Sequence, residues 1–573
     1  MTDQLIAFAH ALPSQVSGSC ITPDGARYTS LCDAANSLHI PVAYRSILPI
    51  LILSLGALVL LIVSAVLPKR SWPGLYPALT SVIGGASAIA SAWEWGDVGK
   101  HHPAVTIGQQ ILYDRFSVFF LLLISIAVVL GALMSDSYLR REGLDGVEAY
   151  VLMLMSGVGA MLMAESAGLI MLFLGLEIMS IALYVMAAYH RRRTQSGEAG
   201  FKYFILGSFS SAIFLYGVAL VYGATGSTQF GEIATFLSRD VLTHTGVLLA
   251  GMVLIIVGLG FKVAAVPFHF WTPDVYQGSP TPFTGYMAAV AKAAGFAGLI
   301  RVLLEALPTQ ETNWRPVIWF IAVLTLLVGS VLAIAQRDLK RMLAYSSISQ
   351  AGYVLVGLQA ASASGTASVL FYLFTYTFII AGSFAVIGVI QGDGEARNDL
   401  GAIRGLARRQ PVLAAAMLVL LLAQAGVPLT SGFLGKFYVI QASVQAGQYP
   451  LAVIAMLAAA IAAFFYLRVA LLMYGSSPEE IDGTPAPAER DGGVLIGGAG
   501  GAEAVDRSEL AGLQPVASLD GATATVALDE PPTEPATVPF MVALALTVCV
   551  VFTIAAGVSA PVIDFARHAT TLF

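Results

Sequence analysis

The sequence predicts an all-α, polytopic membrane protein, because the chain is strongly apolar and its apolar runs have the length that crosses a bilayer. It has 573 residues, of which 57% are hydrophobic and 11% charged, and its mean hydropathy is +0.79. A soluble domain of this size would be far more polar. We predict about fourteen transmembrane helices, with two inverted five-helix repeats that each contain a broken helix.

The predicted helices are the apolar runs of about 17 to 25 residues, taken in chain order. The first five are residues 47–67, 73–93, 113–135, 149–164 and 168–189. The next five are residues 201–223, 246–267, 282–304, 316–335 and 342–359. The last four are residues 367–390, 411–440, 451–474 and 538–560.

These runs divide the chain into five parts. Residues 1–45 form a polar N-terminal tail and residues 46–112 the first helices, before a core at 113–474. Residues 475–536 are rich in Gly, Ala, Pro and acidic side chains, so we expect a flexible cytoplasmic linker with no chemistry of its own. Residues 537–573 carry the last transmembrane helix.

The positive charges predict the orientation, because cytoplasmic loops of membrane proteins are enriched in Lys and Arg. Alternate loops hold most of them, at residues 69–70, 140–141, 191–193, 337–341 and 397–409. The opposite loops hold little beyond Lys100, Arg239 and Arg315. A multi-pass protein of a bacterial inner (plasma) membrane with both termini extracytoplasmic is therefore expected.

Cysteine usage and charge exclude several classes of function. The three cysteines, Cys20, Cys32 and Cys549, form no Cys-x-x-Cys pair and no Cys/His cluster, so we expect neither a zinc nor an iron–sulfur site in this chain. Cys20 and Cys32 could form a disulfide or remain two free thiols, and Cys549 reads as a packing residue. There is no basic patch for nucleic acid.

Four ionisable residues stand out within the predicted membrane helices: Glu177, Lys262, Lys292 and Lys436. A charge at the centre of a membrane helix costs about 3 kcal/mol or more, so such residues usually mark an ion pathway. For each of them the alternative is a purely structural role, as a packing pair or as a lysine that reaches the membrane surface. Lys202, close to the 191–193 arginines, fits that alternative about as well.

Two of the lysines lie near prolines that break helices. Pro267 follows Lys262 by five residues, and Pro428 precedes Lys436 by eight. Broken helices near buried charge are typical of transporters, and their recurrence five spans apart indicates a repeated unit. Between them, His269 could relay a proton or merely cap the broken helix, and Asp274 could simply be solvated.

Three long motifs carry a family resemblance: residues 261–282, 340–349 and 426–437. Through them the chain resembles subunit N of the proton-pumping NADH:quinone oxidoreductase, respiratory complex I, which belongs to the antiporter-like subunits. The resemblance covers about residues 113–474. Val275-Tyr-Gln-Gly278 favours subunit N over its sister subunits.

The resemblance implies a role for each charged residue. Glu177 and Lys262 would form the pair of the first half-channel, Lys292 the central relay and Lys436 the exit-side residue, while Lys202 matches a further family lysine. It implies no cofactor in this chain, whereas FMN, iron–sulfur clusters and quinone are expected in partner subunits. The partners would be other membrane subunits of the complex, including sister antiporter-like subunits, together with the lipid bilayer and protons.

One position departs from the family pattern. Gln350 stands where relatives often carry a histidine, and a glutamine takes up no proton, so water or a neighbouring group would have to serve there. Two other functions stay open at this point. A multisubunit cation/proton antiporter would use the same lysines without NADH, and a structural scaffold would not need Lys292 to be charged.

Overall fold

The computed structural model describes residues 20–21, 27–28, 44–66, 74–99, 104–239, 245–392, 395, 398–475, 538–559 and 561–570. In these residues the protein is a bundle of long helices, so the predicted all-α membrane fold is confirmed. The acidic linker, most of the N-terminal tail and Cys32 lie outside them, so the choice between a Cys20–Cys32 disulfide and two free thiols stays a prediction. Cys549 is a buried free thiol packed near Gly382, as its apolar surroundings predict.

The first half of the bundle runs to residue 306. Its helices are α1 (Leu48–Val66), α2 (Leu75–Val98), α3 (Arg115–Arg141), α4 (Val147–Ala164), α5 (Leu169–Ala187), α6 (Thr194–Thr225), α7 (Phe230–Arg239), α8 (Thr245–Lys262), α9 (Trp271–Gly278) and α10 (Thr281–Ile300). A π-helical turn, Arg301–Ala306, continues α10. Short 3₁₀ turns occur at Tyr44–Ile47 and Pro308–Gln310.

The second half is also built of helices. Its helices are α11 (Glu311–Ile334), α12 (Leu339–Gln359), α13 (Ala363–Ile390), α14 (Leu406–Arg409), α15 (Pro411–Ala425), α16 (Ser431–Gln445), α17 (Tyr449–Tyr474), α18 (Phe540–Val558) and α19 (Pro561–His568). The strands pair as two short antiparallel ribbons, β1 (Cys20–Ile21) with β2 (Arg27–Tyr28) and β3 (Ala104–Thr106) with β4 (Ile111–Tyr113).

Twelve helices of the described residues are long and apolar enough to cross a membrane. The sequence predicts about fourteen spans, and two segments account for the difference. Helix α12 has 21 residues but carries several polar side chains, and the predicted span 411–440 is two helices of 15 residues each. The count of fourteen and the inverted repeat therefore stay predictions.

Helix α10 lies at the centre of the bundle. All 20 of its residues are buried, and it packs against α3, α4, α8 and α13. Its Ala and Gly residues allow this, since small side chains let neighbouring helices approach closely. The lysine that the sequence places on this helix, Lys292, therefore lies in the protein interior.

Helices α4 and α5 touch through backbone atoms. A Cβ added to Gly159 would lie 2.3 Å from the Met179 nitrogen and 2.7 Å from the Gly175 oxygen. A Cβ at Gly175 would lie 2.9 Å from the Gly159 oxygen. The two glycines thus set the distance between α4 and α5, and α5 carries Glu177.

A buried ion cluster joins three helix starts at the arginine-rich end of the bundle. The Glu395 carboxylate accepts hydrogen bonds from Lys340 at 2.9 Å and from Arg193 at 2.5 Å, and both the Lys340 and Glu395 side chains are 0% exposed. The backbone N–H and hydroxyl of Thr281 also donate to Glu395, at 2.9 and 2.8 Å. Glu395 therefore caps the N-terminus of α10, where a negative charge is favourable.

The electrostatics of this cluster favour an ionised Glu395. Burial alone would raise the pKa of this carboxyl, but the charges of Lys340 and Arg193 outweigh burial and lower the pKa to about 2. Because the pKa is depressed, the stabilisation is complete above the usual value of 4.5 and is lost as the pH falls towards 2.

We predict that Gly159→Ala destabilises the protein by about 1 to 3 kcal/mol, because the added methyl group would overlap backbone atoms of α5. The measurement is the thermal unfolding midpoint in detergent. Gly223→Ala on α6 is the matched control, since a Cβ at Gly223 meets nothing within 4 Å. Equal midpoints for the two variants would contradict the proposed helix contact.

We predict that Glu395→Gln lowers the free energy of unfolding by about 3 to 5 kcal/mol at pH 7, because Lys340 would stay buried without its counter-ion. The difference from the wild type should be constant above about pH 5 and should narrow as the pH falls through 4.5 towards 2. Unfolding midpoints across pH test both points. A difference that grows on acidification would show that Glu395 is not the ionised partner.

Candidate functional site

The first helix break lies directly after a buried lysine. Helix α8 ends at Lys262, and α9 begins at Trp271, with Pro267 between them. The break exposes backbone groups that other helices bind: the Trp271 indole donates to the Phe261 carbonyl at 3.0 Å, and Thr325 accepts from the Val266 N–H at 3.0 Å. Protein groups thus satisfy the interrupted backbone, as the membrane interior requires.

Lys262 is 2% exposed, and its amine binds neutral groups. It donates to the Ser180 hydroxyl at 2.8 Å and to the Tyr203 hydroxyl at 3.4 Å. The amine also lies 5.7 Å from the ring centre of Tyr184 and 5.4 Å from that of Tyr203, which are cation–π distances. Helices α5 and α6 therefore hold the ammonium group by oxygen atoms and aromatic faces.

Glu177 lies close to this lysine but does not touch it. It precedes Ser180 by three residues on α5, so the two share a helix face. No ion pair within 4.0 Å joins Glu177 to Lys262 in the described residues, and the Glu177 Oε1 atom is buried without a hydrogen-bond partner there. The direct pair that the family resemblance implies is therefore not closed, and the Lys262 amine binds Ser180 instead.

Lys292 is 3% exposed and projects from the centre of α10 towards α12. Its amine donates to the Ser347 carbonyl and lies 5.7 Å from the Tyr376 ring centre. The Ser347 hydroxyl is in turn 2.7 Å from the Tyr376 hydroxyl and 3.5 Å from that of Tyr276. The central lysine thus adjoins a chain of three hydroxyl groups.

Lys436, on α16, binds the second helix break. Its amine donates to the carbonyls of Gln424 at 2.7 Å and Ala425 at 3.0 Å, the last two residues of α15. Carbonyls at a helix C-terminus have no partner within the helix and carry partial negative charge, so they suit an ammonium group. Pro428 lies in the break, which runs from residue 426 to 430.

The two breaks share a backbone feature. Ala264 after α8 and Leu429 after α15 both have positive φ angles, 62° and 70°. Only a small fraction of non-glycine residues adopt this region. Each break therefore places a buried lysine beside an unusual turn.

A hydrogen-bond network surrounds Gln350 between Lys292 and Lys436. The Gln350 amide donates to the Gln424 carbonyl at 3.2 Å and to the Tyr466 hydroxyl at 3.0 Å, and it accepts from Tyr372. Ser346 contacts both Tyr466, at 2.5 Å, and the Gln424 side chain, at 3.2 Å. Gln350 is thus a fixed link to the carbonyl that also holds Lys436.

Lys202 lies at a polar cleft at the arginine-rich end. Its amine pairs with Glu198 at 2.6 Å and with Asp274 at 2.8 Å, and its side chain is 40% exposed. Arg341 binds the other oxygen of Asp274 at 2.6 Å. Burial would raise the pKa of Asp274, but hydrogen bonds from Lys202 and Arg341 lower it.

This cleft lies beside α9, the helix that follows the first break. It has a volume of about 560 Å³ and is lined by Lys202, Asp274 and Arg341, among others. Asp274 is three residues from Trp271, whose ring stacks on Tyr203 at 4.4 Å, and Tyr203 accepts from Lys262. Asp274 therefore forms ion pairs at the cleft, whereas the sequence also allowed it simply to be solvated.

His269 lies within the first break and is 6% exposed. Its Nδ1 atom has no hydrogen-bond partner among the residues that the structure describes, and its ring lies 4.7 Å from that of Phe270. These surroundings fit both predicted roles of His269, the cap of the broken helix and the proton relay.

Sequence reasoning missed two groups of buried ions. The first is the Glu395 cluster, and the second surrounds Arg301, at the far end of α10. The available signal was charge within or beside apolar runs. Glu395 lies 55 residues from Lys340 and 202 from Arg193, and Arg301 lies 187 residues from Asp114, so no local pattern joins these partners; only Glu305 is close to its partner in the chain, four residues after Arg301.

The arrangement suits proton transfer. Each of the three buried lysines is held by neutral oxygens, and none has a carboxylate within ion-pair distance in the described part of the chain. Burial favours the neutral amine and an approaching carboxylate favours the ammonium, so small movements of charge can change the proton occupancy.

Comparisons with known proteins identify the family of this chain. A family model described as NADH:quinone oxidoreductase/Mrp antiporter, TM, matches residues 166–462, which include all five charged candidates. NADH-quinone oxidoreductase subunit N of Trichlorobacter lovleyi is 44% identical over 435 residues, which cover 76% of this chain and 88% of that relative.

Solved structures show the same fold. A chain of respiratory complex I from Thermus thermophilus with bound aureothin is 34% identical, with a TM-score of 0.63 over 75% of this chain and 90% of that one. A chain of the Mrp complex from Dietzia sp. DQ12-45-1b is 21% identical, with a TM-score of 0.74 over 92% and 97%, and is similar in fold. The chain therefore belongs to the NADH:quinone oxidoreductase/Mrp antiporter family, within its NADH-quinone oxidoreductase subunit N group.

Proposed function

We propose that this chain is a membrane-arm subunit of NADH:quinone oxidoreductase that translocates protons through Glu177, Lys262, Lys292 and Lys436. Electron transfer from NADH to quinone in other subunits would drive it, and this chain would have no redox role. The observation that carries the proposal is the burial of three lysines to 2, 3 and 5% exposure with neutral partners only. FMN, iron–sulfur clusters and quinone would belong to the partner subunits.

The position of the Glu177 carboxylate would control the first lysine. Glu177 lies one helical turn before Ser180, which binds the Lys262 amine, and its Oε1 atom has no hydrogen-bond partner among the described residues, so a side-chain movement would close the pair. Contact would favour the ammonium form and separation the neutral amine. This would load and unload a proton at Lys262.

Water would complete the path near Lys262. A small cavity of about 10 Å³ is lined by Ser180, Ser210, Ser211 and Lys262, among others. That is room for about one water molecule. A continuous path would therefore need local opening, with entry from the cleft that holds Lys202, and His269 is a further candidate carrier.

The orientation follows from the arginine-rich loops. They would face the cytoplasm of a bacterium and both termini would lie outside, as the positive-inside rule predicts. Sister antiporter-like subunits and other membrane subunits of the complex would be the neighbours in the bilayer.

We predict that Lys262→Met lowers NADH oxidation and proton uptake together in native membranes, because the variant keeps the side-chain volume but removes the titrating amine. Both rates are measured on the same membranes after assembly of the complex has been verified. Arg239→Met is the matched control, since Arg239 is exposed on α7, away from the buried lysines.

This experiment also tests the alternative function. If NADH oxidation and its proton pumping persist in Lys262→Met while cation/proton exchange is lost, the chain serves a secondary antiporter. The fold shared with the Mrp complex is the observation that keeps this second candidate in view.

We predict that Lys292→Met abolishes proton pumping without loss of assembly, because its amine is the only charged group on α10, which lies at the bundle centre. Proton release from reconstituted vesicles is the measurement. Normal pumping by an assembled Lys292→Met complex would favour a structural scaffold instead.

A further inference from the structure

Buried carboxylates gather at the end of the bundle opposite the arginine-rich loops. Four elements contribute to this carboxyl cluster: Glu94 on the last turns of α2, Asp114 before α3, Glu165 after α4 and Glu305 in the π-helical turn. Asp114, Glu305 and Glu165 lie around Arg301, which is 0% exposed, and Glu94 lies near Glu165. None of these residues belongs to the lysine array described above.

Arg301 is already neutralised by two of the acids. Its guanidinium binds both oxygens of Asp114, at 2.7 and 2.8 Å, and also binds Glu305. Its Nε donates to the carbonyl of Ala164 at 3.2 Å, which places the guanidinium next to Glu165. One positive charge cannot balance both Asp114 and Glu305, so none is left for the remaining acids.

Glu94 and Glu165 are the remaining acids, and both are 0% exposed. Neither oxygen of either carboxyl group has a hydrogen-bond partner within the described ranges. An ionised carboxylate buried without a partner is very costly, so such a group takes up a proton instead. Burial, and after it the charges of Glu94 and Asp114, raises the pKa of Glu165 well above its usual range, although Arg301 opposes this.

Three more groups face the cluster from the neighbouring elements. Tyr113 of β4 donates to Asp97 of α2 at 3.3 Å, next to Glu94. Arg115, at the start of α3, lies over the Trp95 ring at 5.5 Å. The cluster thus has one charged arginine inside it, Arg301, and one beside it.

A cleft leads from the cluster to the surface. Its volume is about 540 Å³, and Leu112, Ala167, Gln229, Glu232 and Glu305 are among the residues that line it. The backbone N–H of Leu112, which lines the cleft, donates to the Glu165 carbonyl at 2.7 Å. Glu165 is therefore bonded directly to a residue of the cleft wall. The Glu305 carboxylate, 6% exposed, joins the cleft to Arg301.

We propose that Glu165 and Glu94 form a buried proton-binding site that exchanges protons with the aqueous phase at this end of the bundle, through the cleft beside Glu305. On release, the O–H bond of a carboxyl group breaks, its proton passes to water, and the electron pair stays on a carboxylate beside Arg301. A proton fits better than a metal ion, since no three acidic, His or Cys side chains of the described residues are arranged as metal ligands.

The use of this site in pumping rests on the proposed function, whereas its proton occupancy does not. The test is infrared spectroscopy of the purified, intact complex at pH 7, in which protonated carboxyl groups have their own C=O band. Glu165→Gln and Glu94→Gln are each expected to remove intensity from that band and to slow proton release at the cleft side. Glu311→Gln is the control, because Glu311 is an exposed acid paired with Arg315.

Unchanged band intensity in both assembled variants would overturn the proposal, as would a band that responds to Na⁺ and not to pH. If Glu165→Gln fails to assemble, Glu165→Asp replaces it, because the aspartic acid keeps a carboxyl group and should shift the band. The band should persist in Lys262→Met. Normal pumping by Lys262→Met would therefore contradict the proposed lysine relay but not the proposed proton-binding site at Glu165 and Glu94.

Discussion

A lysine in the interior of a membrane bundle must find oxygen atoms for its N–H groups, because lipid and apolar side chains offer none. In this protein the hydroxyl of Ser180, the carbonyl of Ser347 and the end of α15 provide them. One of the three solutions, the end of α15, depends on a broken helix. A break in a helix leaves backbone carbonyls free at membrane depth. Other groups must satisfy the rest of the interrupted backbone, as Trp271 and Thr325 do at the first break.

These partners are all neutral, and that matters for chemistry. A lysine locked to a carboxylate would be held in its charged form, whereas hydroxyls and carbonyls leave the balance between amine and ammonium open to nearby charge. Glu177 is close enough to act on Lys262 but is not bonded to it. The geometry therefore separates binding of the amine from control of its charge.

The sequence was most informative where a single residue does not fit the apolar run around it. A lysine in an apolar run and a proline near it are visible in one dimension, so Lys262, Lys292, Lys436 and both breaks could be predicted. The partners could not. Ser180, Ser347 and the Glu395 cluster depend on side-chain rotamers and on helix contacts between residues far apart in the chain, and their residue types are common in many other roles.

Helix α10 shows how the parts of the site depend on one another. Glu395 caps its first residue, Thr281, and the Asp114–Arg301 pair binds its far end. At a rise of 1.5 Å per residue, Lys292 lies about 16 Å from the first anchor and about 14 Å from the second. Breaking either buried ion pair would leave an uncompensated charge, so we expect both ends of α10 to stay fixed during turnover. In the proposed mechanism, the motion that changes proton affinity would then come from side chains and from the broken segments on either side, and Lys292 would be the stationary point between them.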